Sequence, residues 1–244
     1  MAYTVKNIDD RTWGLTGPEG ANIYLIAGDE RAILIDSGFG DEEHKEIVNR
    51  LTNLPVTLVL SHGHGDHVSG AKYWKKALIN EADKDLFDKY YTGDGIELSF
   101  LSDGEILDLG NRKIKVIFTP GHSKGGTVFL DEENQYLFSA DTVMNQPVFL
   151  QFAYSSVDEY INSIRKLYEQ KDKINKIFPG HRNYPLDNGV LDYFLESGEK
   201  AARGEEAEVF EIDLGIMNTH NKGYLTNGYG FVVENLDGIE IPLT

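Results

Sequence analysis

Residues 61–70 read SHGHGDHVSG, which puts His62, His64, Asp66 and His67 within six positions of one another, spaced by Gly63 and Gly65. Crowded imidazoles and a carboxylate cost free energy unless something compensates them, and for histidine with aspartate the usual compensation is a metal ion. His62 and His64 lie one residue apart, so in an extended segment both rings can face the same way, while Asp66 and His67 in the next turn can face a second point. The two glycines allow backbone angles closed to other residues, so the turn can fold tightly around an ion. A single histidine would be an ordinary structural residue; four potential ligands this close together are not explained that way. Three more follow downstream: His122 in TPGHS, His181 in FPGH and Asp141 at the end of YLFSAD. Read one at a time they are turn residues, but together they would complete a metal-binding set.

These residues need a scaffold that presents loops at one edge. Five apolar segments each run into a polar loop: AILID, TLVLSHGHGDH, KVIFTPGH, YLFSAD and KIFPGH. Loops held at strand ends by a rigid sheet are where chemistry is usually placed. The spacing predicts neighbouring strands in ANIYLIAG and RAILIDSG, and hairpins in EILDLGNRKIKVIFTPGH (turned at GNR) and GTVFLDEENQYLFSAD (turned at EEN). It predicts helices in DEEHKEIVNRL, in EADKDLFDKYY, in SVDEYINSIRKLYEQ behind a Ser-x-x-Glu capping pattern, and in LDYFLESGEKAARG, stopped by Gly204. The segment from Val209 onward is rich in glycine and aromatics and reads as β. On the charged helix at DEEHKEIVNRL, His44 is expected in solvent; His220, in MNTHNKG, is expected in a turn.

The motif His62-x-His64-x-Asp66-His67, followed by His122, Asp141 and His181 in that order, resembles the metallo-β-lactamase-fold hydrolase superfamily, and Asp36 at the end of AILID matches the acidic residue that closes that family's first motif. The resemblance covers residues from about 22 to 182. It implies an α/β (α+β) fold, a four-layer αββα sandwich. It also implies two metal sites, one held by His62, His64 and His122, the other by Asp66, His67 and His181, with Asp141 bridging them and Asp36 bracing the histidine loop. Residues 1–244 are expected to form one such domain, with a β- and aromatic-rich C-terminal segment from about 205 to 244.

Nitrogen and carboxylate ligands suit zinc, and also iron or manganese. Two divalent ions about 3.5–4 Å apart can hold a water, lower its pKa toward about 7 and present the bridging hydroxide to an ester or thioester carbonyl. Asp66 could relay a proton to the leaving group, and Asp141 would tie the two ions together. Hydrolysis by such a hydroxide needs no Ser/His triad. The segment MNQPVFLQFAY after Asp141 is the expected pocket wall, with Phe149, Phe152 and Tyr154 as candidate substrate contacts; Tyr184 after the last Pro-Gly-His is a further one.

The family's branches are unequal matches. True β-lactamases of this fold lack the bridging aspartate. Lactonases place a tyrosine shortly after it, where this chain has Thr142, Val143 and Met144. Hydroxyacylglutathione hydrolases (glyoxalase II) share the ligand set, yet hold glutathione with basic residues, of which the C-terminal region here offers Lys200, Arg203 and Lys222. The expected activity is ester or thioester hydrolysis of a small molecule. Its rivals are a persulfide dioxygenase-like enzyme with a single non-haem iron, and a lactonase or phosphodiesterase of the same fold.

The chain has 244 residues, no cysteine and a formal charge of −17. Without cysteine there can be no disulfide, thiolate site or cysteine nucleophile. A surface this acidic repels nucleic acid and anionic membranes, so neither is an expected partner. No apolar run approaches the ~20 residues of a membrane span and no signal-like segment opens the chain, so a cytoplasmic protein is expected. The aromatic C-terminal segment could supply the surface of a homodimer.

Overall fold

Two sheets stack face to face, and the alternation of side chains along their strands explains why. In the computed structural model, which describes residues 3–40, 42–213 and 218–237, the first sheet runs in chain order through β1 (Thr4–Asp9), β2 (Thr12–Thr16), β3 (Asn22–Ala27), β4 (Ala32–Ile35), β5 (Val56–Val59), β6 (Lys76–Ile79) and β7 (Glu97–Phe100). In the second, β8 (Ile106–Asp108), β9 (Lys113–Phe118), β10 (Thr127–Asp131) and β11 (Tyr136–Ala140) form an antiparallel meander. Beside β11, and parallel to it, lies β13 (Lys176–Pro179), followed by β14 (Leu186–Asp187).

On β3 and β4, Tyr24, Ile26, Ile33 and Ile35 point one way and meet Val116, Phe129, Phe138 and Phe178 of the second sheet. Leu25 and Leu34 point the other way, onto Ile47 and Val48 of α1 (Glu43–Leu51) and Phe87 of α3 (Lys84–Tyr90). The outer face of the second sheet, with Val128, Leu130, Leu137 and Ile177, packs on Tyr160, Ile164, Leu191 and Phe194 of α4 (Val157–Tyr168) and α5 (Val190–Ala202). The result is helix, sheet, sheet, helix, the expected αββα order. Period-2 strands with both faces buried account for it. The Ser156 hydroxyl accepts the Glu159 N–H at the start of α4, as its capping pattern predicts.

A third, smaller sheet closes one end. It joins β12 (Val148–Phe149) to β17 (Tyr229–Asn235), β16 (Asn218–Thr226) and β15 (Glu208–Asp213). The C-terminal segment is therefore β where described; its residues 214–217 and 238–244 lie outside the described residues. Its aromatic side chains turn inward: Phe231, Tyr224 and Tyr229 pack on the α4–α5 core, and Tyr229 stacks on Tyr193 of α5. They do not form the exposed patch on which a dimer was expected. Among the described residues, no helix is long and apolar enough to cross a membrane.

Candidate metal centre

The seven expected ligands come from four loops and converge at one edge of the sandwich. The turn after β5 carries His62 and His64, and the one-turn helix α2 (Gly65–Val68) carries Asp66 and His67. His122 follows β9, Asp141 follows β11 and His181 follows β13. Potential ligand atoms of His62, His64 and His122 lie within 4.8 Å of one another, as do those of Asp66, His67 and His181, and those of His62, His67 and Asp141. Asp141 stands between the two triads, its Oδ2 3.6 Å from His122 Nε2 and 3.5 Å from His181 Nε2.

Hydrogen bonds on the far side of each ring decide which nitrogen faces inward. Ser61 donates its hydroxyl proton to Asp36 Oδ2 (2.8 Å), so its oxygen must accept from His62 Nδ1–H (2.9 Å), which leaves the His62 Nε2 lone pair free. His67 Nδ1–H donates to the same Asp36 Oδ2 (2.8 Å), freeing Nε2. His122 Nδ1–H donates to the Phe149 carbonyl (2.8 Å), again freeing Nε2. His64 is turned the opposite way: its Nε2 faces the Tyr154 hydroxyl at 2.6 Å, and its Nδ1 lies 3.0 Å from both His62 Nε2 and His122 Nε2. Three nitrogens thus converge on one point, and those of His62 and His122 have their protons committed elsewhere. In the other triad His67 Nε2, Asp66 Oδ1 and Asp141 Oδ1 are buried with no hydrogen-bond partner. Buried polar atoms left without a partner cost about 1–3 kcal/mol each. A donor set of imidazole and carboxylate in which the missing partner is a cation fits divalent metal ions.

The electrostatics agree. Burial, reinforced by neighbouring histidines, holds His62 and His64 well below the ordinary histidine range, so both are neutral. For His67 burial pulls down, but Asp66, Asp141 and Asp36 outweigh it and push the ring up to about 9. His181 is likewise raised against its burial by Asp141 and Asp66. Burial opposes ionisation of Asp66 and Asp141 too, yet the histidines beside them hold both below the usual carboxylate range. Without a cation, the carboxylate-rich end uses protons on His67 and His181 as its counter-charge.

Two buried carboxylates hold the loops. Asp36, at a left-handed φ of 64°, accepts the Ser61 N–H at 2.7 Å besides its bonds to the Ser61 hydroxyl and His67. Asp83 accepts the Gly63 N–H (2.9 Å), the Ser123 hydroxyl (2.7 Å) and the Gly125 N–H (2.6 Å), and so ties the loop of His62 and His64 to that of His122. Sequence reasoning missed Asp83, because an aspartate just ahead of a helix reads as a cap. Gly180 is needed for space, since a Cβ there would collide with Asp141 Oδ1 and lie 2.9 Å from His67 Cε1.

The pocket candidates divide. Phe152 stacks on Tyr154 (5.3 Å between centroids) and presents its ring 5.4 Å from His64 and 5.8 Å from His122. The Tyr154 hydroxyl also lies against Tyr90, and burial with that neighbour raises it above the ordinary tyrosine range. Phe149 is buried, and its contribution to His122 is its carbonyl. Tyr184 is not at the site: Arg182 adopts a left-handed φ of 66°, the chain turns back, and Tyr184 packs on Tyr24 and Phe178 with its hydroxyl against Gly14. His44 is fully buried rather than solvated, accepting the Trp74 indole N–H at 3.1 Å. His220 lies on β16 instead of in a turn, exposed and held between Asp237 and Glu211.

Residues 16–181 match the family model described as the metallo-beta-lactamase superfamily. The chain belongs to this superfamily. Among relatives, it is similar to the acyl-coenzyme A thioesterase MBLAC2 of Homo sapiens, 27% identical over 67% of this chain and 73% of that one. The hydroxyacylglutathione hydrolase of Francisella tularensis subsp. novicida is 28% identical over 80% of this chain and 77% of that one. Among solved structures, the metallo-beta-lactamase from Pontibacter korlensis superposes with a TM-score of 0.70 at 21% identity, covering 81% of this chain and 99% of that one. At that identity the likeness speaks for the fold alone.

Proposed function

We propose that the superfamily member described here is a metal-dependent hydrolase of thioesters, or of related carboxylic esters, of small molecules. The observation that carries this reading is the pair of triads with inward lone pairs joined by Asp141. Thioesterase and glyoxalase II-like relatives support the bond type. His62, His64 and His122 would hold one divalent ion, Asp66, His67 and His181 a second, with Asp141 shared; zinc is the first candidate, ahead of iron or manganese. Bound there, the ions would supply Lewis acidity toward the scissile carbonyl and a nucleophile drawn from water at neutral pH.

The chain's own residues do the rest. Asp36, Ser61 and the Phe149 carbonyl hold the rings in the tautomers that face inward. Phe152 shields one side of the His64–His122 triad from water. Asp66 would act chiefly as a ligand of the second ion, its Oδ1 having no partner within the protein, with a proton relay to the leaving group as its further role in this proposal. A glutathione clamp is not supported by Lys200, which donates to the Leu225 carbonyl, or by Arg203, which is held by Glu196 and Glu205. We further propose that residues 1–244 act as one domain, since β12 of the third sheet lies between Asp141 and α4 and is part of the site's wall. A cytoplasmic place of action belongs to the same proposal.

The deciding experiment is elemental analysis of protein purified without added metal or chelator, followed by a thioester and ester panel. Near two zinc per chain with thioester turnover is the expected result. One iron per chain with oxygen consumed in the presence of a persulfide would replace this reading with dioxygenase chemistry. Failure to take up any metal on titration would overturn both.

A further inference from the structure

The third sheet does more than close the barrel-like end of the sandwich: one of its faces continues the metal centre outward. On β15 the side chains alternate, so Phe210 and Ile212 share a face. Ile212 joins Phe149 and Val232 in a small apolar cluster separate from the three main cores, and Phe152 and Phe210, both half-buried, pack against it. Phe152 is the member whose ring stands over the edges of His64 and His122. The strip therefore begins at the histidines and ends on β15.

Two tethers fix that strip relative to the metal centre. At one side β12 pairs with β17, matching Phe149 with Val232, while the Phe149 carbonyl holds His122. At the other side Arg182, the residue after His181, donates from its guanidinium to the carbonyl of Asp213 at the end of β15 (2.8 Å) and to Gln146 Oε1 (2.8 Å). The strand carrying Phe210 and Ile212 is thus anchored beside both His122 and His181. Phe152 is the point at which the strip meets the histidines.

We propose that the half-buried Phe152 and Phe210, backed by the buried Ile212, form a subsite for an unbranched apolar arm of the substrate, and that the third sheet sets which arm lengths are accepted. The subsite rests on the hydrolase reading above and assigns its substrate class: thioesters or esters bearing an aliphatic or aryl chain, attached to the carbonyl or to the leaving sulfur. Three features favour a neutral chain over a charged one. The cluster's own side chains are aliphatic and aromatic, with the buried, uncharged Thr219 and Asn221 of β16 paired beside Ile212 and Phe210. Arg182, beside it, is committed to Asp213 and Gln146. The chain as a whole carries a charge of −17.

The test uses the metal-loaded full chain and two substrate series: acyl thioesters of a small neutral thiol lengthened in the acyl group, and acetyl thioesters lengthened in the thiol. Burying each methylene should raise kcat/KM about threefold to fourfold in one series until the strip is filled. The series that shows the gradient identifies the arm. Phe210→Ala should extend or flatten the gradient, and Phe210→Trp should shorten the optimum. Because Phe210 is half-buried on an edge strand, metal content and thermal unfolding of each variant report whether it folds. A second readout is independent of turnover: dissociation constants of straight-chain methyl ketones should tighten by a similar factor per methylene in the parent protein and by less in Phe210→Ala. Hydrolysis without a gradient in either series, or a gradient that Phe210 variants leave unmoved, overturns the subsite while sparing the hydrolase reading. No hydrolysis of any thioester or ester overturns the hydrolase reading, and the subsite with it.

Discussion

Asp36→Asn should disturb both proposed metal sites at once, although Asp36 belongs to neither triad. The substitution is well isolated, because asparagine tolerates the left-handed backbone at this position and fills the same volume. Asp36 receives three donors: the Ser61 N–H, the Ser61 hydroxyl and His67 Nδ1–H. An amide has one oxygen. If that oxygen keeps the Ser61 N–H, the amide NH2 meets the Ser61 hydroxyl and His67 Nδ1 and must donate to both. His67 then carries its proton on Nε2, where the ligand lone pair belongs. The Ser61 hydroxyl turns toward His62 Nδ1, and His62 also carries its proton on the inward nitrogen. If the amide is flipped, its NH2 faces the buried Ser61 N–H, and two donors oppose each other at the 2.7 Å now spanned by a hydrogen bond. Either arrangement forfeits a charge-assisted bond worth about 1.5–3 kcal/mol. Thermal unfolding should fall by about 3–12 °C for a chain of this size, well within a typical folded margin of about 5–15 kcal/mol. Metal affinity, read by competition with a chromophoric chelator, should fall about 10–100-fold at each site. Ser61→Ala separates the two effects: it cuts the ladder to His62 while leaving the bond to His67, so the weakening should fall mainly on the ion at His62, His64 and His122. Wild-type affinity at both sites in Asp36→Asn would show that the ladder does not set the tautomers.

Five further outcomes are expected. Metal uptake near neutral pH should release at least one proton per chain, since His67, raised to about 9, is protonated in the metal-free protein; affinity should therefore climb as pH approaches about 9, and calorimetry in buffers of different ionisation enthalpy measures it. The sign reverses for stability of the metal-free chain: the contribution of His67 is full below its ordinary 6.5 and is lost as pH rises through about 9, which chemical unfolding across that window checks. Gly180→Ala should lose metal without losing the fold, because its methyl would displace Asp141 and His67, and circular dichroism alongside metal content distinguishes the two. Asp83→Ala strands the Gly63, Ser123 and Gly125 donors and should cost about 3 kcal/mol in denaturant unfolding. If the thiol half of the substrate carries several phosphates, kcat/KM should rise between low and physiological salt as screening relieves repulsion from a chain of charge −17, whereas a neutral thioester should be insensitive.

The ligands were legible in the sequence because four of them share one turn and the others each close an apolar strand, and both are local patterns. The αββα layering followed from the resemblance. What escaped notice depends on distant contacts. The hairpin β1–β2 has an exposed first strand whose side chains show no burial period. Asp83 looks like an ordinary helix-start aspartate until the Gly63 and Gly125 amides are seen to converge on it. His44 could have been found: with Ile47 and Val48 it forms an i, i+3, i+4 face, and those three are the buried residues of α1. Tyr184 was placed at the site by proximity in sequence to His181, and a single left-handed residue between them sends it into the core.

Asp36 and Asp83 together explain how a site made of four loops can stand ready before any ion arrives. Each carboxylate is buried, collects three donors and touches neither triad's inward atoms. Asp36 joins the end of β4 to the turn after β5 and to α2; Asp83 joins that same turn to the loop after β9. The first fixes rings within one sheet's loops, and the second fixes one sheet's loops to the other's. Metal binding to such a framework needs little rearrangement of backbone. It exchanges the protons on His67 and His181 for cations and fills the acceptors of Asp66 and Asp141 that the protein leaves bare. The stabilisation that ions contribute is then spent on relieving buried charge rather than on folding the loops, which sets this arrangement apart from small metal-dependent domains that are unfolded without their ion.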